Sequence, residues 1–281
     1  MTTTRMRKMK ADGVPISMIT AYDYPSAKLA EEAGVDVILV GDSLGNVVLG
    51  YESTLPVTLE DMIYHTKAVT RAVRNPLVVT DMPFMTYHGT IDQTLNQVGR
   101  VMREGLGQSV KMEGGTEIAR TVEAIVKAGV PVMGHIGLTP QSVYQIGGYR
   151  VQGKTSAQAQ KLLDDALSLE QAGAFAVVLE LVTDELSELI TSRLSIPTIG
   201  IGAGRHCDGQ VLVYHDVLQY ASESVPKKFV KAYANLGDHI REGISQYVKE
   251  VKSKAFPAEE HSFHSDLELA SVYGKTEEDH D

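Results

Sequence analysis

The sequence has very little cysteine and no long apolar run. Cys207 is the single cysteine among 281 residues, so no intrachain disulfide can form and a reducing compartment is the default. No segment approaches the ~20 consecutive apolar residues that a membrane-spanning helix needs. The basic N-terminus leads into no apolar segment of the kind found in secretory signals. We therefore expect a cytoplasmic protein with no membrane partner.

Basic residues are scarce relative to acidic ones. The chain has 26 Lys and Arg against 36 Asp and Glu, a formal net charge of −10. Nonspecific binding to nucleic acid or to an anionic membrane requires clustered positive charge. We therefore expect no nucleic-acid partner. A small acidic substrate stays compatible with this charge, because a local lysine or metal ion can override the global field.

The remaining composition is that of an ordinary globular protein, with 43% hydrophobic and 22% charged residues. Such a chain can bury a substantial core, and α/β barrels commonly fill this length as one domain. We expect residues 1–264 to form a single barrel domain with helices at its C-terminal end. The acidic and polar residues 265–281 are expected to form a disordered tail.

The order of apolar and amphipathic segments predicts the fold. Segments of strand character alternate with segments of helical spacing, and the strands are predicted over residues 17–23, 35–43, 77–84, 109–115, 131–138, 175–181, 196–202 and 210–214. Regular alternation implies a parallel sheet with right-handed crossovers. The Gly-x-Gly-x-x-Gly turn of an open dinucleotide-binding sheet is absent. The sequence therefore predicts an α/β protein with a closed (β/α)8 TIM barrel, followed by a long helix over residues 227–254 that is broken near Gly237.

Polar residues recur where the predicted strands end. In barrel enzymes the functional residues lie at the C-terminal ends of the strands. A buried apolar strand that delivers a carboxylate indicates a site, because an unpartnered buried charge is expensive. The polar residues at these ends are Asp42, Ser43, Asp81, Lys111, Glu113, His135 and Glu180.

Three of these residues should form a continuous acidic arc. Neighbouring strands lie ~4.8 Å apart, so Asp42, Asp81 and Glu113 should be close together. Three carboxylates at this spacing cannot all stay ionised without a cation. Oxygen ligands without a Cys or His cluster favour a hard divalent ion, with Mg²⁺ as the leading candidate. A single Asp at a strand end more often caps a helix, so the hypothesis depends on the arc as a whole.

The other polar residues suggest a substrate and a base. Lys111 beside a metal ion suits a substrate carboxylate, and an α-keto acid could chelate the ion while polarisation stabilises its enolate. Glu180 lies across the predicted pocket as a candidate general base. Structural alternatives remain open: Lys111 could only neutralise the acids, and Glu180 could pair with a loop cation. His135 could donate a hydrogen bond at the site or pack in the core, and we place it among the substrate-binding candidates.

The same stretches carry a family resemblance. The sequence resembles the ketopantoate hydroxymethyltransferase family over about residues 16–264. The motifs occur in family order and include VGDSLG at 40–45, DMPFM at 81–85, VKMEGG at 110–115, GHIGLTPQS at 134–142 and GIGAG at 200–204. So many motifs in sequence make the resemblance far more specific than any lone glycine pattern.

The resemblance implies a barrel of the phosphoenolpyruvate/pyruvate-binding type that forms a homodecamer. It implies a reaction between 3-methyl-2-oxobutanoate and the cosubstrate 5,10-methylenetetrahydrofolate, giving 2-dehydropantoate in pantothenate biosynthesis. The implied roles are Mg²⁺ binding by Asp42, Asp81 and Glu113, substrate contact by Asp42, Ser43, Asp81 and Lys111, and proton abstraction by Glu180.

Two other functions are weighed against this one. The first is a Mg²⁺-dependent C–C lyase or mutase of the same barrel superfamily that acts on another α-keto acid. The second is a protein that binds a keto acid without turnover. The presence of both Lys111 and Glu180 disfavours a simple binder, because binding alone needs no base.

Overall fold

The computed structural model describes residues 1–220 and 227–266. The chain divides into two compact units, residues 1–234 and a unit that begins at Asn235. In the first unit eight parallel strands pair in chain order, and β8 closes onto β1 to complete a barrel. The predicted fold is therefore confirmed. The strands are β1 Ile16–Thr20, β2 Val37–Val40, β3 Leu77–Asp81, β4 Ser109–Glu113, β5 Val132–Gly137, β6 Ala176–Glu180, β7 Thr198–Ile201 and β8 Gly209–Leu212.

Helices follow the strands around the barrel. Those of the first unit are α1 Thr3–Ala11, α2 Tyr24–Glu32, α3 Leu44–Val47, α4 Leu59–Ala72, α5 Ile91–Glu104, α6 Ala119–Lys127, α7 Val143–Ile146, α8 Ser156–Gln171, α9 Asp184–Arg193 and α10 Tyr214–Leu218. The second unit contains α11, Leu236–Ser253. Short 3₁₀ turns lie at Pro140–Ser142 and Glu259–His261. No helix in these described ranges combines the length and apolar character needed to cross a bilayer.

Local sequence explains where the major helices begin. Thr58 and Asp61 form a capping box at the start of α4, and Thr90 and Gln93 form another at α5. Each box satisfies backbone N–H groups that the first helical turn would otherwise leave unpaired. Every residue of β2, β3 and β4 is buried, whereas β1 and β8 each expose one residue, Ser17 and Gln210. Burial on both faces accounts for the continuous apolar run Val37–Val40 of β2.

The N-terminal end of the barrel is covered by α1, a helix that the sequence did not predict. Met6 of α1 is fully buried and packs in one cluster with Ile16, Leu77 and Phe175, which lie at or next to the starts of β1, β3 and β6. The surface of α1 is basic and polar, with one deeply buried residue in nine. A helix that buries so few residues has only a weak apolar periodicity.

The predicted helix over residues 227–254 is wrong in its first part. Residues 227–235 form turns and irregular backbone, and α11 runs without a break from Leu236. Asn235 begins the helix because its side chain accepts a hydrogen bond from the backbone N–H of Asp238. Gly237 lies in the first turn, where it does not interrupt the helix. The predicted eighth strand, 210–214, also ends early, at Leu212.

The short helices α3 and α7 lie in the segments that follow β2 and β5. The single-domain boundary at residue 264 stays a prediction. Most of the predicted acidic tail, residues 267–281, lies outside the described residues.

Candidate active site

All seven polar candidates line one cavity at the C-terminal ends of the strands. The cavity has a volume of about 240 Å³. Its wall includes Asp42, Ser43, Asp81, Lys111, Glu113, His135 and Glu180, together with apolar residues such as Val178, Ile201 and Val211. The structure therefore brings together every residue that the strand-end pattern singled out.

Strand register sets the order of the charged groups around this cavity. Asp81 of β3 pairs in register with Lys111 of β4, and Glu113 of β4 pairs with His135 of β5. Asp42 follows β2, and its backbone N–H donates to Asp81 Oδ2 over 3.0 Å. From β3 to β6 each carboxylate thus has a basic neighbour on an adjacent strand, whereas the two aspartates after β2 and on β3 lie side by side.

A glycine permits close backbone contact between β5 and β6, the next pair of strands. Gly137 at the end of β5 pairs in register with Glu180 and has φ of 97°. A Cβ at Gly137 would lie 2.2 Å from the backbone oxygen of Glu180. A side chain there would therefore push the end of β6 away and displace Glu180.

The three carboxylates are almost completely buried. Burial raises the pKa of Asp42 well above its usual range, and the charges of Asp81 and Glu113 raise it further. Burial also raises the pKa of Asp81, although the adjacent Lys111 charge opposes the rise. For Glu113 burial is outweighed by His135 and Lys111, so its pKa is lowered. The aspartate pair thus carries unfavourable negative charge that a bound cation would relieve.

Lys111 remains charged although it is buried. Burial opposes its charge, but Asp81, Glu113 and Asp42 raise the pKa of its ammonium group above the usual value. Its Nζ lies 3.0 Å from Asp81 Oδ1. The two groups form an ion pair, but the contact lacks the alignment of a hydrogen bond. Lys111 is therefore an internal counter-charge that still faces the cavity.

His135 lies between two glutamates. Its Nδ1 is 3.2 Å from Glu113 Oε1, and its Nε2 is 3.2 Å from Glu180 Oε2. Burial and the Lys111 charge lower the pKa of the imidazole, but Glu113 and Glu180 outweigh them and raise it to about 9. The His135 ring, whose Nδ1 also lies 3.1 Å from Lys111 Nζ, therefore links β4 to β6. Among residues 1–220 and 227–266, the ion-pair partner of Glu180 is this barrel histidine and not a loop lysine or arginine.

Ser43 is held by a residue that the strand-end pattern did not identify. Tyr22 OH lies 2.8 Å from Ser43 Oγ, and Tyr22 is buried just beyond the end of β1. The strand-end pattern also missed Gln141 and Tyr87, because both lie in loops beyond the strand ends. Gln141 belongs to the GHIGLTPQS motif, which was the one sequence signal that could have drawn attention to it.

The aspartate pair fits a hard divalent ion. Asp81 Oδ1 is buried and accepts no hydrogen bond, and only Oδ2 of Asp42 is held, by Gln141 Nε2 over 2.9 Å. Among residues 1–220 and 227–266, no group of three or more His, Cys, Asp or Glu is already arranged around a metal position. Mg²⁺ commonly takes one or two carboxylates and completes its shell with substrate and water, so two aspartates suffice.

Glu113 is less available than the aspartates. Its Oε2 accepts a hydrogen bond from the backbone N–H of Gln141 over 2.9 Å, and its Oε1 pairs with His135. Direct coordination by Glu113 would require one of these contacts to break. A water between Glu113 and the ion would preserve both of them.

Curated relatives resemble this chain along nearly its whole length. The 3-methyl-2-oxobutanoate hydroxymethyltransferase of Shouchella clausii is 57% identical over 274 residues, covering 97% of this chain and 98% of the relative. The Bacillus cereus protein of the same name is 56% identical with the same coverage.

Solved structures of lower identity share the fold. Phosphoenolpyruvate phosphomutase from Streptomyces platensis subsp. rosaceus has a TM-score of 0.59 at 18% identity, covering 98% of this chain and 94% of that one. 2,3-dimethylmalate lyase, a PEP mutase/isocitrate lyase superfamily member, has a TM-score of 0.58 at 15% identity, covering 97% and 93%.

A family model decides the assignment. The model described as "Ketopantoate hydroxymethyltransferase" matches residues 1–259, which include the barrel and every residue lining the cavity. Together with the curated relatives, this match confirms the family resemblance and the prediction of an enzyme. The chain belongs to the ketopantoate hydroxymethyltransferase family of transferases.

Proposed function

We propose that this chain transfers a hydroxymethyl group from 5,10-methylenetetrahydrofolate to 3-methyl-2-oxobutanoate, giving 2-dehydropantoate. The observation that carries the proposal is the cavity of about 240 Å³ in which an aspartate pair, a charged lysine and a glutamate converge. This volume is below the ~300–1,000 Å³ of pockets for drug-sized ligands. The cavity therefore suits a small keto acid, and the much larger folate would present only its reactive carbon at the mouth.

Asp42 and Asp81 are the residues that would hold Mg²⁺, with Glu113 as a third acid acting directly or through water. Asp81 Oδ1 supports this assignment, because it is buried and ion-paired with Lys111 but accepts no aligned hydrogen bond. When bound, the ion supplies a Lewis acid that polarises the keto oxygen and acidifies the adjacent C–H group. The proposed cosubstrate and the homodecamer derive from the family resemblance, and the cytoplasmic location derives from the cysteine content and the lack of long apolar segments. All three stay proposals.

Lys111 and Ser43 are suited to orient the substrate carboxylate. The Lys111 ammonium is a fixed positive charge in a buried site, where its attraction for an anion is less screened than in water. The Ser43 hydroxyl is oriented by Tyr22 OH and can donate to the same carboxylate. His135 is buried between the two glutamates, so its proposed contribution to substrate binding is to hold them in place.

Glu180 is the proposed proton acceptor. Its side chain keeps 16% of its surface exposed, unlike the more deeply buried Glu113, and it lines the cavity opposite the aspartate pair. His135 Nε2 lies 3.2 Å from Glu180 Oε2 and positions the carboxylate that would accept the proton. Glu180 would remove the C3 proton of the keto acid before the new carbon–carbon bond forms.

Replacing Glu180 tests this role. We expect Glu180→Gln to abolish exchange of the C3 proton of 3-methyl-2-oxobutanoate into deuterated water, because the amide cannot accept the proton. General-base catalysis typically contributes about 10²- to 10⁴-fold, so turnover should fall by a similar factor. Proton NMR measures this exchange in a reaction from which folate is omitted. Retained exchange would remove Glu180 as the base.

The proposed donor separates this function from its rivals. Folate-dependent turnover of 3-methyl-2-oxobutanoate is expected here, whereas a lyase or mutase would be indifferent to folate. A protein that only binds keto acids would bind Mg²⁺ and the keto acid in a calorimeter without any C3 proton exchange.

A further inference from the structure

Gln141 occupies an unusual position beside the acidic arc. It lies in the 3₁₀ turn Pro140–Ser142 after β5 and is 5% exposed. Its backbone N–H donates to Glu113 Oε2 over 2.9 Å, and its side-chain Nε2 donates to Asp42 Oδ2 over 2.9 Å. One residue therefore contacts two of the three carboxylates, through main chain and side chain respectively.

The orientation of the Gln141 amide is determined by its surroundings. Nε2 also donates to the backbone oxygen of Met82 over 2.9 Å, while Oε1 accepts from Tyr87 OH over 2.7 Å. A flipped amide would turn Oε1 toward two acceptors, Asp42 Oδ2 and the Met82 oxygen, and lose both bonds. All the polar atoms of this side chain thus have partners of the correct kind.

Tyr87 connects the Gln141 amide to the backbone of Glu113. Its hydroxyl oxygen accepts the backbone N–H of Glu113 over 3.2 Å while its proton goes to Gln141 Oε1. Tyr87 is 1% exposed, so water does not compete for these bonds. The chain of contacts runs from Glu113 through Tyr87 and Gln141 to Asp42, which joins the ends of β4 and β2 across β3.

We propose that Gln141 is a positioning residue that fixes the Asp42 carboxylate for metal binding, with Tyr87 locking its amide. The inference rests on the proposed function, because it concerns the same metal site. By occupying Asp42 Oδ2 with a neutral donor, Gln141 restrains rotation of the carboxylate and leaves Oδ1 for the ion. Partners that orient metal ligands in this way are worth about 10- to 100-fold in metal affinity or activity.

Metal affinity measured directly tests the proposal. We expect Gln141→Met, which keeps side-chain length and the backbone N–H, to weaken Mg²⁺ binding by about 10- to 100-fold. Isothermal titration of the full chain with Mg²⁺, with and without 3-methyl-2-oxobutanoate, gives the affinity, and calorimetric unfolding without metal gives the stability. A purely structural role would lower the melting temperature and leave the affinity of the folded protein unchanged, which would overturn the proposal.

Gln108→Met is the matched control. Gln108 precedes β4 at the opposite end of the barrel, where its Oε1 accepts the backbone N–H of Val78, so Mg²⁺ affinity should stay at the wild-type value. If Gln141→Met fails to fold, Gln141→Asn provides the second variant, since its shorter amide falls short of Asp42 and should lose affinity in the same way. Wild-type affinity in that variant would overturn the proposal.

Tyr87→Phe tests whether the hydrogen bond from Tyr87 OH to Gln141 Oε1 holds the amide in place. Its loss of Mg²⁺ affinity should be smaller than that of Gln141→Met and should disappear in the Gln141→Met background, because both act through one amide. Fully additive losses would overturn the role given to Tyr87. Failure of the wild-type chain to bind Mg²⁺ would instead contradict the proposed function itself, so the two failures are distinguishable.

Discussion

Asp42 is 4% exposed and shares its surroundings with two other carboxylates. Burial and repulsion both oppose its ionised form, and its raised pKa means that the charge destabilises the metal-free fold as the pH rises. The only direct side-chain donor among the described residues is Gln141. Residues of this kind are kept for what they bind, since the fold alone would be more stable without the charge.

Removing the Asp42 charge should therefore separate stability from metal binding. We expect Asp42→Asn to raise the metal-free unfolding free energy at pH 8 by on the order of 1 kcal/mol, because the repulsion disappears. Mg²⁺ should no longer raise its melting temperature, since a ligand stabilises only a state that binds it. Thermal unfolding with and without Mg²⁺ measures both effects.

Asp36 supplies the control for Asp42, at the other end of the same strand. Asp36 Oδ2 accepts hydrogen bonds from the backbone N–H and the hydroxyl of Ser17. Asp36→Asn should lower stability and keep the Mg²⁺-induced shift. A Mg²⁺ shift that survives in Asp42→Asn would contradict the assignment of Asp42 as a ligand.

At the scale of secondary-structure elements, side chains tie helices to the strands that follow. Glu31 at the C-terminal end of α2 is an example. Its Oε1 accepts the backbone N–H groups of Arg74 and Asn75 in the turn before β3, and its Oε2 pairs with Lys28 over 3.0 Å. The Arg74 and Asn75 N–H groups, with Lys28, lower the pKa of Glu31 to about 2.

This lowered pKa predicts a pH-dependent contribution to stability. Because the folded-state pKa lies below the ordinary 4.5, the contribution of Glu31 is fully present above pH 4.5 and is lost as the pH falls toward 2. We expect Glu31→Gln to lower the unfolding free energy at pH 7 by about 1–3 kcal/mol, the usual loss of hydrogen bonds to a charged group. The difference from wild type should be smaller at pH 3, as measured by urea denaturation.

The neighbouring residue gives the comparison for Glu31. Glu32 is well exposed and lies 4.0 Å from Lys28, so Glu32→Gln should change the unfolding free energy by less than about 0.5 kcal/mol. A pH-independent effect of Glu31→Gln would contradict the linkage.

At the scale of the whole molecule, the barrel separates stability from chemistry along its axis. The cavity lies at the C-terminal ends of the strands, and the cluster around Met6 lies at their N-terminal ends. We therefore expect the cluster around Met6 to serve stability and the residues that line the cavity to serve binding and catalysis.

Truncating Met6 tests this separation. We expect Met6→Ala to lower the unfolding free energy by about 2–5 kcal/mol, because it empties a fully buried position. The turnover number of the folded fraction should stay at the wild-type value. Arg7→Ala, at an exposed position of the same helix, should leave stability nearly unchanged. A fall in turnover for Met6→Ala without loss of stability would contradict the separation.

The sequence by itself determined the barrel fold and which residues meet at the candidate site. Alternating periodicity predicts eight parallel strands, and parallel strands bring their C-terminal ends to one face, so Asp42, Asp81, Lys111 and Glu180 had to meet there. The same reasoning failed for residues 227–235 and for α1, because a short or weakly amphipathic segment carries little periodic signal.

Only the tertiary structure decided how the site residues pair. The groups that Glu113 contacts, and the oxygen of Asp42 that is held, depend on side-chain rotamers and on loops that sequence spacing does not describe. Gln141 lies 99 positions from the carboxylate it contacts, and no local pattern connects residues so distant. Strand periodicity fixes which residues converge on the cavity, whereas the hydrogen bonds between them arise only when packing brings separate loops together.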